Sequence, residues 1–531
     1  MAISSLFLVL SWVTPLDAWA FQNGLLPSRS GGAVARRGVV SGGEEEAAED
    51  LVDFVPGSEG QSALANRLAG GFGPTVWSEF GALAMELGDS VVNLGQGFPD
   101  FAPPAFVREA ARLAVESECH QYTRPAGHPP LVSLLAERYS KHLGRVVDAM
   151  REVAVTVGCS QALYVTMQCL VRPGDEVILL EPFFDLYIGQ IRMAGGIPRY
   201  VPLSASTVGG HEDDSSACGG SEDGGGGWQL NFDLLEATMS EKTRAIVLNS
   251  PHNPTGKVFS MADMERLAEL VRRWPQVTVV SDEVYKYTVH GEGAVDGHCH
   301  FASLPGMFDR TLTLSSAGKT FSVTGWQVGW VIGPEWLLRD VHIALPFLQF
   351  CASTPMQQAL VEVLRRADEP FGGERSYYDW LCSQYRRKAK SLADALKAAG
   401  LPVVPSEGGY FLTVDVSKVD VPQEYLDEES DAIDIVTKDW AFCRWLAIEH
   451  GVLSIPVAPF FSAERRDSGN GAGAFARFAF CKSDKTLELA AERLAKLGTA
   501  TRTATTSTPT TSSSLSSSAS SSSSIITARR I

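Results

Sequence analysis

The 531-residue sequence has little positive charge, no closely paired cysteines and no long apolar run. Its 45 Lys and Arg residues against 62 Asp and Glu give a formal net charge of −17, which disfavours nucleic acid as a partner. The nine cysteines are scattered, which predicts reduced thiols rather than a disulfide framework or a zinc site. The apolar run at residues 6–13 is too short for a bilayer, so we expect no stable membrane span in the mature chain.

The N-terminal segment has the composition of a targeting leader. Residues 1–20 combine the apolar run with a small-residue end at Ala20, which predicts a signal peptide. Residues 21–60 begin with Phe21 and carry Arg and Ser but no acid before Glu44, which is typical of a transit peptide. This order resembles the bipartite leaders of algae with secondary plastids and implies a plastid destination. The residues before the apolar run include no Lys or Arg, which signal peptides usually carry there. Mitochondrial, secretory and cytosolic locations therefore stay open, as does a disordered N-terminus without targeting value.

Two other segments have too few apolar residues for a packed core. Residues 499–531 are rich in Ser and Thr, and the segment at about 204–227 is rich in Gly and acidic residues. Neither can offset the chain entropy lost on folding. We therefore expect a disordered C-terminal tail and a disordered surface insertion.

Between these segments, short apolar or β-branched runs alternate with helical patterns. This alternation predicts a large doubly wound α/β domain over residues 101–346, with a mainly parallel sheet. Residues 347–498 predict a smaller α+β domain, to which residues 61–100 belong as an N-terminal arm. The expected parallel strands lie at residues 152–157, 176–180, 245–248, 277–280 and 311–314.

The segment SSAGKTFS, residues 315–322, places Lys319 among small residues after a strand-like run. A strand end can deliver a partly desolvated amine, and Gly and Ala leave room beside it. This suits a lysine that forms a Schiff base with a carbonyl. A surface lysine in a turn is the alternative, because Lys beside Gly and Ser is common in loops.

Two further segments, NSPHNPTGK and VVSDEVY, follow apolar runs and contain Asn253, and Asp282 with Tyr285. Pyridoxal phosphate needs a lysine for its aldehyde, a carboxylate to keep its pyridine nitrogen protonated, and donors for its phenolic oxygen. Lys319 and Asp282 match the first two roles, and Asn253 with Tyr285 matches the third. Sites in doubly wound sheets form at the carboxyl ends of strands, where these residues are expected.

Taken together, these segments resemble the fold-type I pyridoxal-phosphate aminotransferases of class I and II. Residues 93–101 (NLGQGFPDF), 121–124 (QYTR) and 181–185 (EPFFD) are more narrowly similar to kynurenine aminotransferases, also known as glutamine transaminase K or cysteine-S-conjugate β-lyase. The resemblance implies transamination between a large neutral amino acid (kynurenine, glutamine, methionine or an aromatic one) and a 2-oxo acid, with Lys319 and Asp282 as catalytic residues. It also implies a homodimer with composite active sites.

The cofactor phosphate needs a helix start, and the segment GCSQ supplies one after a strand. Backbone N–H groups at Cys159 and Ser160 can bind a dianion with the help of the helix dipole, although an ordinary glycine turn has the same composition. Ser316 can donate its hydroxyl to the same phosphate. Family members usually carry Arg or Lys where this chain has Gln327, so one charge-assisted contact is missing.

Other site residues concern the substrate. Arg477 interrupts an apolar strand, and its planar guanidinium suits an α-carboxylate, with a structural salt bridge as the alternative. The resemblance implies that Gly97 and Asn253 complete this clamp and that Trp77 lines the side-chain pocket. At residues 350–353 this chain has smaller side chains than the Phe-His pair that kynurenine aminotransferases tend to carry, so kynurenine is one candidate among several.

Two aromatic residues are placed by the resemblance alone. It implies that Phe184 stacks on the pyridine ring, with Val284 on the opposite face, and that Tyr122 reaches the phosphate of the neighbouring subunit. A buried core aromatic is the alternative for each of the two rings.

Two other classes remain at this level. β-Elimination from cysteine S-conjugates would use the same lysine and cofactor, and a non-catalytic pyridoxal-phosphate module would need a basic DNA-binding domain, which the leader does not supply.

His290, His298 and His300 could suggest a metal centre. Their spacing around Cys299 is not a tetrahedral set, so we predict no metal site.

Overall fold

The computed structural model describes residues 74–206, 227–291, 297–468 and 471–505. The leader expected at residues 1–60 therefore lies outside the described residues, as do most of the insertion and of the tail. Within the described ranges, no helix combines the length and the apolar character needed to cross a membrane.

Helices and strands alternate along the described chain. The helices are α1 Val76–Leu87, α2 Ala105–Glu116, α3 Pro129–Leu143, α4 Gly158–Leu170, α5 Leu186–Met193, α6 Phe232–Thr238, α7 Met261–Arg273, α8 Ala317–Thr320, α9 Glu335–Leu348, α10 Thr354–Arg366, α11 Tyr377–Ala398, α12 Gln423–Leu426, α13 Lys438–His450, α14 Ala463–Asp467 and α15 Asp484–Thr505. The strands are β1 Val92–Asn93, β2 Val153–Val157, β3 Glu176–Glu181, β4 Ile197–Ser206, β5 Gly227–Leu230, β6 Thr243–Asn249, β7 Thr278–Asp282, β8 Thr311–Ser316, β9 Val328–Ile332, β10 Val403–Val404, β11 Phe411–Asp415, β12 Val452–Leu453, β13 Ile455–Pro456 and β14 Phe475–Ala479.

An eight-stranded sheet in the order β2-β9-β8-β7-β6-β3-β4-β5 is the centre of the large domain. Strands β8, β7, β6, β3 and β4 are parallel, whereas β9 and β5 run antiparallel to their neighbours. Both faces of the sheet are apolar: Val177 and Leu179 pack into one core, and Ile178 and Leu180 of the same strand pack into another. Helices on both faces require this continuous apolar pattern. The predicted doubly wound α/β fold is therefore confirmed.

Three neighbouring parallel strands end on polar residues at the same edge of the sheet. The register pairs Asn249 at the end of β6 with Asp282 at the end of β7. Strand β8 ends at Ser316, and the short helix α8 that follows carries Lys319. Because parallel strands have their carboxyl ends at one edge, these side chains converge there.

The C-terminal part contains a four-stranded antiparallel sheet in the order β10-β11-β14-β13. Arg477 lies in β14, where it pairs with Thr413 of β11 and Ile455 of β13. The N-terminal arm joins this part of the molecule, because β1 pairs in parallel with β12.

Two predicted boundaries overlap described elements. Ser204–Ser206, placed in the insertion expected at about 204–227, belong to β4, and Gly227 begins β5, which pairs antiparallel with β4. Residues 499–505, placed in the expected tail, belong to helix α15, and residues 207–226 and 506–531 lie outside the described residues. Small polar residues next to an existing strand or helix can extend its hydrogen bonding, which composition alone does not indicate.

Candidate active site

One cavity of about 260 Å³ lies at the carboxyl ends of β6, β7 and β8. All the predicted site residues except Tyr122 line it, although they come from both the large and the small sheet and from the N-terminal arm. They are Trp77, Gly97, Cys159, Ser160, Phe184, Asn253, Asp282, Tyr285, Ser316, Lys319 and Arg477. The fold thus brings an amine, a carboxylate and a guanidinium into one enclosed space.

Lys319 extends from α8 into this cavity. Its Nζ donates a hydrogen bond of 2.9 Å to the carbonyl oxygen of Gly97, in the N-terminal arm. The rings of Tyr285 and Tyr410 lie near it, with centroids 5.7 and 5.8 Å from Nζ. Burial lowers the pKa of the Lys319 amine because it disfavours the charged form. A neutral amine, which can act as a nucleophile or a base, is therefore easier to obtain here than on the surface.

Asp282 is buried at the end of β7, and three groups hold its carboxylate. The hydroxyl of Tyr187 donates to Oδ2 across 2.6 Å, the backbone N–H of Val284 donates to Oδ1 across 3.3 Å, and Cys159 Sγ lies 3.8 Å from Oδ1. Burial raises the pKa of Asp282, whereas the bond from Tyr187 opposes that rise. The carboxylate is fixed in orientation and faces the cavity.

The start of α4 forms another wall of the cavity. Gly158 has a positive φ of 70°, and its backbone N–H donates to the carbonyl oxygen of Gln327. A Cβ at Gly329 would lie 2.4 Å from the carbonyl carbon of Gly158, so the two segments can meet only with glycine there. The first N–H groups of a helix have no intrahelical acceptor and carry the positive end of the dipole, so Cys159 and Ser160 can bind an anion.

Gln327 lines the same wall with a left-handed backbone, at a φ of 51°. Its amide nitrogen donates a bond of 2.6 Å to the carbonyl oxygen of Thr324. The side chain is therefore held by its own turn and adds no positive charge to the anion site.

Arg477 is 1% exposed and lines the same cavity as the helix start. Its two terminal nitrogens donate to Asn253 Oδ1 across 3.1 Å and to the carbonyl oxygen of Gly95 across 3.0 Å. Its Nε has no hydrogen-bond partner among the described residues. Burial lowers the pKa of Arg477 to about 10. The guanidinium is thus buried with neutral acceptors, which makes it a strong site for an incoming carboxylate.

Aromatic rings surround this guanidinium. The ring centroids of Phe411, Phe460 and Trp77 lie 4.0, 5.1 and 5.2 Å from the central carbon of Arg477. These distances allow cation–π attraction between the guanidinium and each ring. The indole N–H of Trp77 is bonded to Asp185, whose Oδ2 accepts it across 2.6 Å.

The sequence did not indicate Tyr187 or Asp185 as site residues, although Asp185 directly follows the predicted Phe184 and Tyr187 lies three residues after it. Each acts on a residue distant in sequence: Tyr187 donates to Asp282, and Asp185 accepts from Trp77. The one available signal was a polar and an aromatic residue at the start of the helix after β3. Which distant side chains they reach depends on the packing of α5, which a single sequence does not specify.

Tyr122 lies outside the cavity. Its side chain is 79% exposed and packs edge-on against Phe350, with ring centroids 4.6 Å apart. In this conformation, Tyr122 therefore neither reaches the cofactor site of its own chain nor packs in the hydrophobic core. Phe347, three residues before Phe350, is 88% exposed.

A second polar cluster is centred on Glu283, which directly follows Asp282 in the chain. Glu283 Oε2 is 2.5 Å from His300 Nδ1 and 3.2 Å from His298 Nε2, and the ligand atoms of these three residues lie within 4.8 Å of one another. Burial lowers the pKa of His298 to about 4. The cluster offers three ligand atoms, one fewer than a tetrahedral zinc site has. His300 Nδ1 is hydrogen-bonded to Oε2 of Glu283, and His298 Nε2 lies within ion-pair distance of the same oxygen. His290 bonds instead through its backbone to Glu407.

Comparison with known proteins gives one consistent result. Residues 89–494 match the family "Aminotransferase class I and II". The chain is 40% identical to a kynurenine--oxoglutarate transaminase of Dictyostelium discoideum, over 80% of this chain and 94% of that one. It is 38% identical to kynurenine--oxoglutarate transaminase 3 of Homo sapiens, over 80% and 88% of the two chains. The solved structure of Escherichia coli YbdL, reported with a methionine aminotransferase function, matches with a TM-score of 0.68 and 31% identity, over 81% and 98%.

Proposed function

The chain belongs to the class I and II aminotransferases, and we propose that this aminotransferase moves the amino group of a large neutral amino acid to a 2-oxo acid. The observation that carries the proposal is the placement of Lys319, Asp282 and Arg477 around one cavity. The names of its relatives, which specify kynurenine or methionine, support a large neutral donor.

The residues of the cavity fit pyridoxal phosphate, the cofactor that the family implies. Asp282 is a fixed, buried carboxylate suited to a pyridine nitrogen, and Lys319 is an amine suited to an aldehyde. The helix start at Cys159 and Ser160, with the hydroxyl of Ser316, would hold the phosphate. Pyridoxal phosphate supplies an acceptor for the amino group and an electron sink next to the substrate α-carbon.

The remaining cofactor contacts would come from the walls of the cavity. Asn253 and Tyr285 present an amide and a phenol that can donate to the phenolic oxygen. Burial raises the pKa of Tyr285, so its hydroxyl keeps its proton. Phe184 and Val284 also line the cavity, and we propose that they contact the two faces of the ring.

Two groups of this chain would control the proton at the reacting carbon. Lys319, whose pKa burial lowers, would take the proton from the α-carbon of the donor and would hold it for return. Asp282, held by the hydroxyl of Tyr187, would accept a hydrogen bond from a protonated pyridine nitrogen. The same residues would serve a 2-oxo acid in the reverse direction.

Arg477 would bind the α-carboxylate of both substrates. Its buried guanidinium has an unpartnered Nε among the described residues and neutral acceptors on the other nitrogens. A carboxylate that replaces or adds to these acceptors would gain a charge-assisted bond in a buried pocket. Gly97, Asn253 and Trp77 line the same cavity.

We further propose that the protein is a homodimer in which Tyr122 reaches the phosphate of the partner. Tyr122, Phe347 and Phe350 are exposed aromatic residues close in the fold, and such a patch suits an interface. Replacing Phe347 by Glu should shift sedimentation towards a monomer, whereas the same change at Met85, exposed on α1, should not. Equal effects of the two changes would contradict this interface.

The plastid destination is likewise a proposal. It is based on the composition of residues 1–60, which lie outside the described residues. The destination would decide which amino acids reach the enzyme, but none of the chemistry above depends on it.

A donor and acceptor screen on protein loaded with pyridoxal phosphate tests the proposed function. We expect 2-oxo acid products from glutamine, methionine, phenylalanine and kynurenine. Pyruvate and thiol from a cysteine S-conjugate, in place of its oxo acid, would instead favour β-elimination. Turnover restricted to acidic or basic amino acids would contradict the proposed substrate class.

A further inference from the structure

Asp185 has a carboxylate behind the wall of the substrate cavity. It directly precedes helix α5, and its neighbours Phe184 and Leu186 both line the cavity. The Asp185 side chain turns to Trp77, whose indole N–H it accepts across 2.6 Å. Trp77 lines the cavity and Asp185 does not, so the carboxylate holds a residue of the cavity wall without lining the cavity itself.

The same carboxylate acts on the charge of the site. Burial raises the pKa of Asp185, while the bond from Trp77 and the charge of Arg477 oppose that rise. In return, Asp185 opposes the fall of the Arg477 pKa that burial causes. Within the described chain, no hydrogen bond or ion pair joins the two residues, so Arg477 feels the charge of Asp185 only through space, and its Nε has no partner there.

We propose that Asp185 determines substrate specificity: it positions Trp77 as the wall of the side-chain pocket and repels a second carboxylate on the substrate. The inference depends on the proposed function, because it specifies the side chains that the same site accepts. Neutral side chains, aromatic ones above all, would be favoured over acidic ones.

The physical basis is the difference between one and two carboxylates in the pocket. The α-carboxylate of every substrate would meet Arg477 and would feel Asp185 to the same extent. Only an acidic side chain would bring a second negative charge towards the wall that Asp185 supports, where the low dielectric weakens screening. Specificity of this kind comes from repulsion of the wrong substrate rather than from an added contact to the right one.

Two substitutions separate the roles of charge and position. Asp185→Asn removes the charge but keeps an oxygen for the indole N–H of Trp77. Asp185→Leu removes both. The matched control is Asp394→Asn, which removes one negative charge from the exposed surface of α11, where Asp394 pairs with Lys390.

The experiment measures kcat/KM of the loaded enzymes for phenylalanine, methionine and glutamate with one common oxo acid. We expect Asp185→Asn to raise the ratio of glutamate to phenylalanine about tenfold, mainly through the KM for glutamate. Asp185→Leu should raise the same ratio and, in addition, lower kcat/KM for phenylalanine. The control should leave the ratio unchanged.

Calorimetry with two carboxylates that undergo no reaction provides a second measurement. Succinate should bind about tenfold more tightly to Asp185→Asn than to the wild type, whereas 3-phenylpropanoate should change much less. If the ratio of kcat/KM for glutamate to that for phenylalanine is unchanged in Asp185→Asn, or is changed equally by the control, the inference is overturned. Failure of the wild type to use phenylalanine or methionine would instead contradict the proposed function, so the two failures are distinguishable.

Discussion

The phenolic hydroxyl of Tyr187 donates to Oδ2 of Asp282 across 2.6 Å, and both side chains are buried. Burial raises the pKa of Tyr187 well above its usual value, so the phenol remains a donor at every physiological pH. The bond leaves Oδ1 of Asp282 with weaker partners, the backbone N–H of Val284 and the thiol of Cys159. One oxygen of the carboxylate is thus fixed, and the other is available to a ligand in the cavity.

We expect Tyr187→Phe to reduce kcat about 10- to 100-fold, because Asp282 loses a charge-assisted bond of about 1.5–3 kcal/mol. The phenyl ring keeps the packing of α5, so the fold should persist. Asp282→Ala, measured in parallel, should reduce kcat much further, because it removes the charge itself. Steady-state kinetics and circular dichroism provide the two readouts. A kcat for Tyr187→Phe within about twofold of the wild type would show that this bond does not matter to catalysis.

Lys319→Ala should abolish turnover and the covalent attachment of the cofactor. The reason is that the amine of Lys319 lies in the cavity whose residues fit pyridoxal phosphate. Reduction with borohydride followed by mass spectrometry should label residue 319 in the wild type and nothing in the variant. The matched control, Lys390→Ala, changes an exposed lysine on α11 and should keep both properties. Label retained in Lys319→Ala would assign the chemistry to another lysine.

Gln327→Lys should strengthen cofactor binding. The native amide is neutral and bonded to Thr324, so an ammonium at this position adds a charge-assisted contact worth about 1.5–3 kcal/mol to a phosphate. Equilibrium dialysis should then show tighter retention of pyridoxal phosphate, by about 10- to 100-fold. Gln327→Met, of similar length but uncharged, is the control for the lost amide. Unchanged or poorer retention in Gln327→Lys would show that another group already neutralises the phosphate.

The sequence predicted the sheet because its strands are continuous apolar runs covered on both faces, as the two cores on either side of β3 illustrate. It also predicted Lys319 and Asp282, since a strand end determines where a side chain emerges. The antiparallel strands β9 and β5 were not predicted, because direction depends on connections through space.

Contacts between distant segments account for the rest of what the sequence did not predict. That Tyr187 meets Asp282 across 95 positions depends on the packing of α5, and the convergence of His298 and His300 on Glu283 depends on a loop conformation. Neither relationship leaves a local pattern of spacing.

The stability of the small domain should depend on the protonation of Asp439. This buried carboxylate accepts the backbone N–H groups of Val457 and Ala458, and burial raises its pKa to about 6. The folded state therefore holds the proton more tightly than the unfolded state, in which the pKa is about 3.9. The resulting stability, about 3 kcal/mol, is present below about pH 4 and is lost as the pH rises to about 6.

Asp439→Asn should remove this pH dependence. Its amide oxygen can accept both N–H groups, and its amide nitrogen can donate to Thr437, which now donates to the carboxylate. Thermal unfolding across this range should therefore show a Tm that falls with rising pH more steeply in the wild type than in the variant. Parallel curves for the two proteins would show that Asp439 has the same pKa in both states.

The leader should direct a fused protein to a plastid. The apolar run within residues 1–20, the Ala20-Phe21 junction and the acid-free Arg and Ser stretch before Glu44 together match passage through a secretory translocon followed by plastid import. Residues 1–60 fused to a fluorescent protein should label the plastid of an alga with secondary plastids. Removal of Phe21 should retain the fusion in the endomembrane system, because the second import step would fail while the first proceeds.

Replacing Glu44 by Gln is the matched control, since it lies beyond the acid-free stretch and should leave plastid labelling intact. Diffuse cytosolic fluorescence of the complete fusion would refute both steps, and mitochondrial fluorescence would identify the Arg-bearing stretch as a simple presequence.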